Sequence, residues 1–415
     1  MREIESKSYL VILCLSFVRR NLLNQNYKHL FLNSNPWFSA VTDYSYQLCL
    51  FLYQTENILY CAESGSTAMD EKCKHIGIPF KNIPIHNQSL YNFLFCIISI
   101  FLILIKNRKS LKYIWVFEGR EHTLCCLLKI LFPNLFKNIK IIRIRGQAQK
   151  VKNNIFSKVV YNLLTDKIIL AAECVKNRFN FKINSKKFLI HYYCKDTKVT
   201  QNTVVNYIFD EDFPVINKDN LIFLVIGRFD LVKGHNYLIK SFLKAKLKPG
   251  AKLVLLGYKA NLSPYDIYQK FLPEFGSGKF NNNIFYLEKS DENKQLFIIE
   301  KKISDLENLM SVVSFGVIPS LDSEVICRVG VEFLQSSIPV LHSDAGALSE
   351  VFSDFSELKF QLKNENELIR KLEKASEFFS QVDKLKLLKE KAFEVGNNKF
   401  SLKNYKNIVS FIDSQ

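Results

Sequence analysis

The sequence predicts an α/β protein with two domains, each built on a parallel sheet. Apolar strand-like segments alternate with helical ones along most of the 415 residues, and this alternation is typical of parallel sheets with right-handed crossovers. The length allows two separate hydrophobic cores. Polar residues, Pro214 and an acidic run interrupt the alternation between Thr197 and Asn220. We therefore predict two Rossmann-like domains joined by a linker at this interruption.

The first domain is predicted over residues 28–210, after an N-terminal extension of residues 1–27. Mostly apolar runs of three to six residues mark its strands, and longer apolar or amphipathic runs mark its helices. The predicted strands are His29–Asn33, Asn57–Cys61, Lys81–Ile85, Tyr113–Phe117, Ile139–Ile144, Lys167–Leu170 and Phe188–Ile190. Helices are predicted at Ala40–Tyr53, Thr67–His75 and Leu90–Ile105.

The second domain is predicted over residues 221–395, after a linker of residues 211–220. Its predicted strands are Leu221–Ile226, Leu253–Leu256, Ile284–Leu287, Phe315–Ile318 and Val340–His342. After Glu365 the pattern becomes helical and charged, and the final helical piece covers Leu402–Ile412.

A loop with two cations follows the first strand of the second domain. Gly227–Arg228 and Lys233–Gly234 enclose this loop, and the amphipathic helix His235–Leu247 begins directly after it. Arg228 and Lys233 therefore lie at the carboxyl end of a strand, where open α/β sheets bind ligands. Two fixed cations there suit a diphosphate leaving group, whose charge grows in the transition state. The alternative is a solvated turn with two ordinary surface cations.

Two carboxylates flank the start of a later helix. The segment Pro319–Glu324 follows an apolar strand, and Glu332 lies eight residues after Glu324. The two side chains converge best if Glu324 lies in the strand-to-helix loop and Glu332 in an early helical turn. Carboxylates accept hydrogen bonds from sugar hydroxyls, and the free N–H groups of a helix N-terminus attract phosphate. The pair therefore predicts a nucleotide-sugar site.

With these motifs in this order, the chain resembles glycosyltransferase family 4, whose mostly retaining members have the GT-B fold. The resemblance is strongest in the second half and looser from about Tyr27 onward. The segments that extend it beyond the E-x7-E pair of Glu324 and Glu332 are Pro339–Val340, Asp344–Gly346 and Glu350. It implies two Rossmann-like domains that face a central cleft. It also implies that residues 396–415 form a helix crossing back onto the first domain.

The resemblance also implies roles for individual residues. Glu332 should accept hydrogen bonds from the ribose hydroxyls of the donor, and Glu324 from the hydroxyls of its sugar. Arg228 and Lys233 should neutralise the departing diphosphate. The further donor-binding candidates are Gly227, the backbone N–H groups around Ile326, Cys327 and Arg328, and the strand end at Leu287 and Glu288, where the base edge would be read. No metal or other cofactor is expected. No dedicated general base is expected either, because in retaining members the diphosphate itself is thought to take the acceptor proton.

Polar side chains at strand ends of the first domain are candidates for acceptor binding. Glu118, Arg120 and His122 follow the strand that ends at Phe117, and Arg145 ends the next strand. A histidine or acid at this place often faces the donor sugar in relatives. Glu121, which lies among them, is equally well explained as a favourable charge at a helix start.

The loop after the first strand, Ser34–Ser39, occupies the place of the family's glycine-rich first loop but contains no glycine. Close approach of its backbone to a diphosphate is therefore not expected. Trp37 and Ser39 are instead candidates for acceptor binding. An indole suits stacking on a sugar, and a place in the core or in a lid is equally compatible with the sequence.

The acidic triplet Asp210–Asp212 contains the D-x-D arrangement that metal-dependent GT-A transferases use to hold a divalent cation. It lies in the predicted linker and not directly after a central strand. We therefore interpret it as a solvated acidic turn.

Charge is concentrated in the first half of the chain. Residues 1–215 carry 29 Lys and Arg against 15 Asp and Glu, a net charge of +14, and the remaining residues carry 28 against 25, or +3, which sum to the total of +17. The basic half suits an anionic lipid surface or a phosphorylated lipid acceptor. Nucleic acid is not expected, because no zinc spacing or recognition-helix pattern is present. Plain solubility is the alternative explanation.

Two apolar runs bear on the membrane. Tyr9–Val18 is too short to span a bilayer, and Leu90–Ile105 reaches only about 24 Å as a helix. The second run also lies between two strand-like segments, as a crossover helix does. We predict a packed helix with one face touching lipid, and a transmembrane segment is the alternative. The ten cysteines show no C-x-x-C pair, which favours a reducing compartment, so a cytoplasmic protein on the inner face of the membrane is expected.

The function expected from the resemblance is transfer of a sugar from a nucleotide-sugar donor to a glycan or lipid-linked acceptor. Family analogy places this transfer in the assembly of a bacterial surface glycan such as lipopolysaccharide. An inverting GT-B transferase or a nucleotide-sugar epimerase is the alternative within the fold. The alternative from a different class is a non-catalytic glycan- or membrane-binding protein.

Overall fold

The computed structural model describes residues 26–65, 67–86, 89–196, 206–300, 305–322 and 324–414. The chain forms two compact units. The first contains, among the described residues, 26–171, 178–191 and 405–414, and the second contains 172–177 and 192–404. The apolar run Tyr9–Val18 and nearly all of the N-terminal extension lie outside the described residues.

The first unit is built on a seven-stranded sheet in which every neighbouring pair is parallel. Its strands are β1 (His29–Asn33), β2 (Ile58–Ala62), β3 (Phe80–Asn82), β4 (Tyr113–Val116), β5 (Lys140–Arg145), β6 (Lys167–Leu170) and β7 (Phe188–Ile190). Their order in the sheet is β3-β2-β1-β4-β5-β6-β7. The central strands β1, β2 and β4 are buried along their whole length, as expected for a parallel sheet that is covered on both faces.

The helices of the first unit before residue 165 are α1 (Ala40–Tyr53), α2 (Thr67–Ile76), α3 (Leu90–Asn107), α4 (Gly119–Leu131) and the short α5 (Ile155–Val159). Among the described residues, α3 is the single helix long and apolar enough to cross a membrane, and one third of it is buried. Residues on its buried face, such as Ile100, Ile103 and Leu104, belong to the core of the first unit. The crossover helix predicted for this run is therefore present.

The second unit carries an eight-stranded sheet. Its strands are β10 (Ile222–Ile226), β11 (Lys252–Leu256), β12 (Ser277–Asn281), β13 (Ile284–Lys289), β14 (Lys294–Ile299), β15 (Phe315–Ile318), β16 (Val340–Ser343) and β17 (Lys359–Phe360). Their order is β12-β13-β14-β11-β10-β15-β16-β17. The six strands from β14 to β17 in this order pair in parallel, which is the Rossmann arrangement around a central first strand.

The direction of one strand of this sheet differs from the prediction. Ile284–Leu287 was expected to be a parallel strand, but β13 pairs antiparallel with both β12 and β14. The parallel neighbour of β11 is Lys294–Ile299, which the sequence analysis did not assign. A tight turn at Asn293, whose φ is +50°, joins the two strands as a hairpin. The prediction of an all-parallel second sheet is therefore wrong at this edge.

The helices of the second unit are α6 (His235–Lys244), α7 (Pro264–Phe275), α8 (Leu306–Val312), α9 (Arg328–Gln335), α10 (Leu348–Val351), α11 (Glu365–Ser380) and α12 (Val382–Lys399). A small antiparallel pair, β8 (Asn206–Tyr207) and β9 (Ile216–Asn217), also belongs to this unit. Phe209 between them packs on Phe297 of β14, with ring centroids 5.6 Å apart. Residues 206–210 therefore belong to the second unit, and the N-terminal part of the first unit extends to residue 191, whereas the prediction extended it to residue 210.

The C-terminal helix α13 (Lys406–Asp413) is part of the first unit, although the residues before it belong to the second. Ile408 and Ile412 of this helix are buried. The ammonium group of Lys140 donates to the carbonyl of Ile412 at 2.7 Å. The segment that returns to the first unit therefore starts at residue 405, some nine residues later than predicted.

Candidate functional site

The second unit positions its candidate residues on two loops that lie side by side. The first loop, residues 227–234, follows β10, and the second, of which residues 319–322 and 324–327 are described, follows β15. Because β10 and β15 are parallel neighbours, both loops leave the same edge of the sheet. This is the edge at which open α/β sheets bind ligands.

Backbone contacts fix the first loop. The N–H of Gly227 donates to Leu256 of β11, and a Cβ at Gly257 would lie 1.8 Å from the carbonyl oxygen of Gly227. Gly234 has a φ of +74°, and a Cβ there would lie 2.1 Å from the carbonyl oxygen of Pro319. Glycine at positions 234 and 257 therefore lets this loop pack directly on its neighbours.

Lys233 and Glu324 connect the two loops. The ammonium group of Lys233 lies 2.7 and 3.0 Å from the two carboxylate oxygens of Glu324. The buried hydroxyl of Ser320 donates to the same carboxylate at 3.1 Å. Both charged side chains are mostly buried, so the ion pair is shielded from solvent and geometrically defined. The structure thus brings together two of the predicted site residues.

The backbone of Glu324 is held as tightly as its side chain. The N–H of Ala347 donates to its carbonyl at 2.7 Å. A Cβ at Gly346, whose φ is +57°, would lie 2.4 Å from that carbonyl oxygen. The segment 344–346, which extends the family resemblance in sequence, therefore packs against the backbone of Glu324.

Arg228 is more exposed than the other charged groups of the site. Its guanidinium forms an ion pair with Asp230 at 3.1 Å, and half of the Arg228 side chain is exposed (51%). Asp230 is buried and also accepts hydrogen bonds from the N–H of Val232 and the amide of Asn261. Asp230 thus anchors one end of Arg228 and leaves the rest of the guanidinium open to a ligand.

His235 is the first residue of α6 and directly follows Gly234. The imidazole is buried against Phe229, with ring centroids 5.1 Å apart. Burial lowers the pKa of His235 to about 4. The side chain is therefore neutral at physiological pH and adds no charge beside Lys233.

Glu332 lies in the second turn of α9, and Glu324 lies in the loop before this helix, which is the arrangement expected from their spacing. The carboxylate of Glu332 forms an ion pair with Lys195, at 2.5 Å. Lys195 lies 137 residues earlier in the chain, and sequence reasoning did not identify it.

Helix α9 begins beside these groups. Arg328 is its first helical residue, and Ile326 and Cys327 lie in the turn before it. Ile326 and Cys327 are buried, and burial raises the pKa of the Cys327 thiol to about 12. The thiol is therefore uncharged and adds no negative charge at the start of the helix.

Leu287 and Glu288 are not at the ligand-binding edge. Both belong to β13, and Glu288 pairs in register with Gln295, which in turn pairs with Lys252 at the start of β11. Because β13 is antiparallel, its last residues lie at the opposite edge of the sheet from the loops after β10 and β15. The prediction that these two residues read the base edge is therefore wrong.

The first unit has a separate cavity of about 440 Å³ at the carboxyl edge of its sheet. It lies where the loops after the neighbouring strands β1 and β4 meet. The residues that line it are Ser34, Asn35, Pro36, Trp37, His86, Glu118, Gly119 and Arg120. Three of the predicted acceptor-binding residues, Trp37, Glu118 and Arg120, are thus brought together.

Asparagine side chains shape the loop after β1 in the absence of glycine. The side-chain oxygen of Asn33 accepts from the N–H of Asn35, and that of Asn35 accepts from the N–H of Trp37, both at 3.0 Å. Ser39 caps α1 by accepting from the N–H of Thr42. Trp37 is 75% exposed, so it is not a core residue, and it lines the cavity.

Glu118 combines a cap with a place in this cavity. Burial raises the pKa of Glu118, with a further contribution from the charge of Glu121. The amide of Gln147 donates to its carboxylate at 2.7 Å. Glu121 accepts from the N–H groups of Phe117 and Glu118, which confirms the interpretation of Glu121 as a helix-capping residue. Glu118 remains the carboxyl group that faces the cavity.

Three of the remaining candidates have structural partners. The guanidinium of Arg120 donates to the backbone carbonyl of His86. His122 is buried outside the cavity lining, its ring nitrogen 2.8 Å from the hydroxyl of Thr165. Arg145 is buried as well and donates to the carbonyl of Gln149. The structure therefore separates His122 and Arg145 from the cavity that Glu118 and Arg120 line.

The acidic triplet 210–212 forms a turn between β8 and β9. Asp210 accepts from the N–H of Asp212, and Asp212 accepts from the amide of Asn281. Across the described part of the chain, no group of three or more His, Cys, Asp or Glu side chains is arranged to hold a metal ion. The triplet therefore has the hydrogen bonds of a surface turn.

Sequence reasoning missed Lys195, Ser320 and Asp230, each of which holds a charged residue of the site. Asp230 and Ser320 lie inside the two recognised motifs. Their closeness in sequence to Arg228 and Glu324, respectively, could have indicated that they hold these charged side chains. Lys195 had no such signal, since it lies in a segment without a motif.

Comparison with known proteins agrees with this geometry. Residues 208–392 match the family model described as Glycosyl transferases group 1. A comparison with curated proteins found no match. Among solved structures, a glycosyltransferase from Rickettsia africae ESF-5 is similar with a TM-score of 0.69 at 15% identity, covering 94% of this chain and 100% of that one.

Two further structures have the same fold. HepE from Anabaena, solved in complex with UDP and glucose, matches with a TM-score of 0.66 at 12% identity over 94% of this chain and 100% of its own. The lipopolysaccharide outer core galactosyltransferase WaaB matches with a TM-score of 0.60 at 11% identity, over 92% and 99%. At these identities the likeness establishes a GT-B fold. Together with the group 1 domain, it makes this chain a glycosyltransferase.

Proposed function

We propose that this protein transfers a sugar from a nucleotide-sugar donor to a glycan or lipid-linked acceptor, with retention of configuration, in the synthesis of a bacterial surface polysaccharide or lipopolysaccharide. The observation that carries the proposal is the shielded ion pair of Lys233 and Glu324 at the ligand-binding edge of the second unit, beside the start of α9. A cation and a carboxylate at this edge, beside the positive end of a helix dipole, suit the diphosphate and the hydroxyls of a sugar diphosphate.

The donor is held through complementary charges. Lys233 and Arg228 stabilise the diphosphate, and the first-turn N–H groups of α9 add to this stabilisation. Glu324 accepts hydrogen bonds from the sugar hydroxyls, and Glu332 from those of the ribose. The charge of the diphosphate grows as it leaves, so the two cations act most strongly in the transition state.

In the transfer itself, the bond from the anomeric carbon to the diphosphate oxygen breaks, and the acceptor oxygen bonds to that carbon on the same face. The proton of the acceptor hydroxyl passes to the departing diphosphate. No side chain is needed as general base, and no metal ion is needed to neutralise the leaving group when two cations are fixed beside it. The cavity at Trp37 and Glu118 is proposed to hold the acceptor, with the exposed indole stacking on a sugar ring.

The structural neighbours support the donor class and the pathway. HepE has been solved with UDP-glucose, and WaaB is named as a lipopolysaccharide galactosyltransferase. We infer by analogy that a nucleotide-sugar is the donor here and a surface glycan the product.

The test is calorimetric titration of the purified chain with UDP, GDP and CMP and their sugars, followed by incubation of the tightest donor with glycan and lipid acceptors. We expect one nucleotide to bind, turnover to survive EDTA, and the product to retain the anomeric configuration by NMR. Absence of binding to all of these nucleotides would refute the proposal. An inverted product would refute retention, and epimerisation without acceptor would identify an epimerase.

We also propose that the first unit docks on the anionic inner face of the cytoplasmic membrane. Exposed apolar residues recur at helical spacing along α3, and others lie at the end of α4. They are Leu90, Tyr91, Leu94, Ile98 and Ile105 on α3 and Ile130, Leu131 and Phe132 at the end of α4.

Basic residues adjoin this apolar stripe. A groove of about 1050 Å³ beside it is lined by the apolar Ile105, Leu131 and Phe132 and by the basic Arg108, Lys109, Lys112 and Lys140. An apolar stripe beside lysines and arginines is the pattern of a monotopic surface, since the apolar groups enter the interface and the cations attract anionic headgroups.

Cosedimentation with vesicles tests the docking proposal. Vesicles with anionic phosphatidylglycerol should bind the protein, and pure phosphatidylcholine vesicles should bind it much less. The double variant Leu94→Gln with Ile98→Gln should lose most of the binding, whereas Leu387→Gln, an equally exposed leucine of the second unit, should not. Equal binding of all three proteins would contradict the assignment of this surface.

A further inference from the structure

The ion pair of Lys195 with Glu332 is the feature of the donor side that the proposed function does not explain. The ammonium group lies 2.5 Å from one carboxylate oxygen of Glu332, Oε1. Both side chains are mostly buried, with 30% of Lys195 and 22% of Glu332 exposed. A lysine held there restricts the rotation of the carboxylate that is proposed to bind the ribose.

The backbone of Lys195 is fixed on both sides. Its N–H donates to the carbonyl of Phe400 at 2.9 Å, and its carbonyl accepts from the side-chain amide of Gln335. Gln335 is fully buried and lies one turn after Glu332 on the same face of α9. One end of α9 therefore carries both the carboxylate that Lys195 pairs with and the amide that holds the backbone of Lys195.

The residues around Lys195 complete this clamp. Asp196 accepts from the N–H of Leu402 and the hydroxyl of Ser401, at 2.8 and 3.0 Å. Gly396 lets α12 approach α9 closely, because a Cβ there would lie 2.6 Å from the backbone nitrogen of Gln335. A lysine on so well fixed a backbone is preorganised, so little conformational entropy is lost when it holds its partner.

We propose that Lys195 is a positioning residue for donor binding, which fixes Oε1 of Glu332 so that Oε2 accepts from a ribose hydroxyl. This inference rests on the proposed role of Glu332. The function of Lys195 is indirect, since it acts on the ligand through the carboxylate. Its effect should therefore appear in the affinity for ribose-bearing ligands and depend on the ribose hydroxyls.

The experiment measures the dissociation constants of UDP and GDP, each paired with its 2′,3′-dideoxy counterpart, for the full chain by calorimetry. The variants are Lys195→Met, Lys195→Arg and Glu332→Gln, with Lys244→Met as the control. Lys244 forms an ion pair with Glu365 at 2.7 Å outside the site. Thermal unfolding of every variant reports whether it is folded.

Lys195→Met should weaken binding of the ribose nucleotide about tenfold, the usual effect of losing one hydrogen bond to a charged group. It should change binding of the dideoxy nucleotide by less than about twofold. Lys195→Arg should restore most of the loss, and Lys244→Met should have no effect. Equal weakening for both ligands would show a merely structural role and overturn the proposal.

The outcomes also separate this inference from the proposed function. If the unmodified protein binds none of the nucleotides, the proposed function fails. A second outcome would refute only the role of Lys195. In that outcome the unmodified protein binds the ribose nucleotide more tightly than the dideoxy nucleotide, Glu332→Gln removes this preference, and Lys195→Met does not. The proposed function would then stand.

Discussion

At the scale of single residues, the two cations of the first loop differ in how they are held. Lys233 is mostly buried and bound to both oxygens of Glu324, whereas Arg228 is half exposed and bound at one end to Asp230. Lys233 therefore contributes to the shape of the site before any ligand arrives. Arg228 has donors left for a charge that develops during the reaction.

We expect Arg228→Ala to lower kcat about a hundredfold, because it removes a cation that stabilises the leaving diphosphate mainly in the transition state. KM for the donor should change much less. Steady-state kinetics with the donor found by calorimetry check this expectation. Lys240→Ala, an exposed cation of α6, is the control, and a loss confined to KM would contradict the assigned role.

Glu332→Ala should have the opposite kinetic signature. It removes a carboxylate that is proposed to contact the ribose in both the ground state and the transition state, so the donor should bind about ten- to a hundredfold more weakly at nearly unchanged kcat. The same steady-state assay separates the two effects. If Glu332→Ala and Arg228→Ala both behave like the unmodified enzyme, the site has been assigned to the wrong residues.

His235 makes the free energy of unfolding of the second unit depend on pH. The pKa of its buried imidazole is about 4, against an ordinary value of 6.5. Between these two pH values the unfolded chain binds a proton that the folded chain does not. The free energy of unfolding therefore falls as the pH is lowered from 6.5 to 4, by about 3 kcal/mol for this group. Above pH 6.5 the imidazole is neutral in both states and contributes nothing.

Urea unfolding of His235→Gln at pH 7 and pH 4 tests this dependence. The variant should lose about 3 kcal/mol less than the unmodified protein between the two pH values, because glutamine has no group to protonate. An unchanged dependence in His235→Gln would contradict the assignment.

At the scale of elements, the site depends on the close contact of the two loops after β10 and β15. Gly234→Ala should be strongly destabilising, since it combines a φ of +74° with a Cβ 2.1 Å from the carbonyl oxygen of Pro319. We expect a loss of at least about 3 kcal/mol. The matched control is Gly276→Ala, where φ is +90° but nothing lies within 4 Å. That variant should lose only about 1 kcal/mol.

Chemical denaturation and nucleotide titration of both variants check this difference. If Gly234→Ala folds at all, it should also bind the nucleotide more weakly, because the two loops must separate to admit the methyl group. Equal losses in the two variants would mean that the contact with Pro319 does not limit the position of the loop.

The elements also show how far sequence can lead. Buried strands such as β1 and β10 are continuous apolar runs between helices, so hydrophobic pattern and propensity agree and their positions were predicted within a residue or two. The strand Ile284–Lys289 has the same pattern. Its direction depends on the hairpin through Asn293 and not on its own residues, so the pattern could not reveal that it is antiparallel.

The same limit applies to the site. Lys233 and Glu324 lie in recognisable motifs, and the pairing of β10 with β15 brings them together. Lys195 meets Glu332 because residues 194–196 are bound to the end of α9 and to residues 400–402, a set of contacts that no local pattern encodes. His122 is the opposite case. Its place after a strand end predicted a site residue, but the side chain is buried against Thr165 outside the cavity. Charge and spacing therefore predicted which loops form the site, whereas tertiary packing determines which of their side chains meet there.

At the scale of the whole molecule, the chain returns to the first unit after the long second-unit segment that covers residues 192–404. The last helix, α13, buries Ile408 and Ile412 in the first unit. There Lys140 donates to the carbonyl of Ile412, and Lys167 donates to the hydroxyl of Ser414, the residue after the helix. The first unit is therefore completed by residues that follow the whole of the second unit in sequence. Its stability should depend on them as on any core segment.

Ile412→Ala tests this dependence, because removing a buried isoleucine side chain costs about 2 to 5 kcal/mol. Hydrogen exchange should accelerate at the amides of β4 and β5, which are core strands of the first unit, and stay unchanged at β10 and β11 of the second. Leu388→Ala, a buried position on α12 of the second unit, should give the reverse pattern. If Ile412→Ala accelerated exchange in β10 and β11 as much as in β4 and β5, α13 would be supporting both cores, and its assignment to the first unit alone would be wrong.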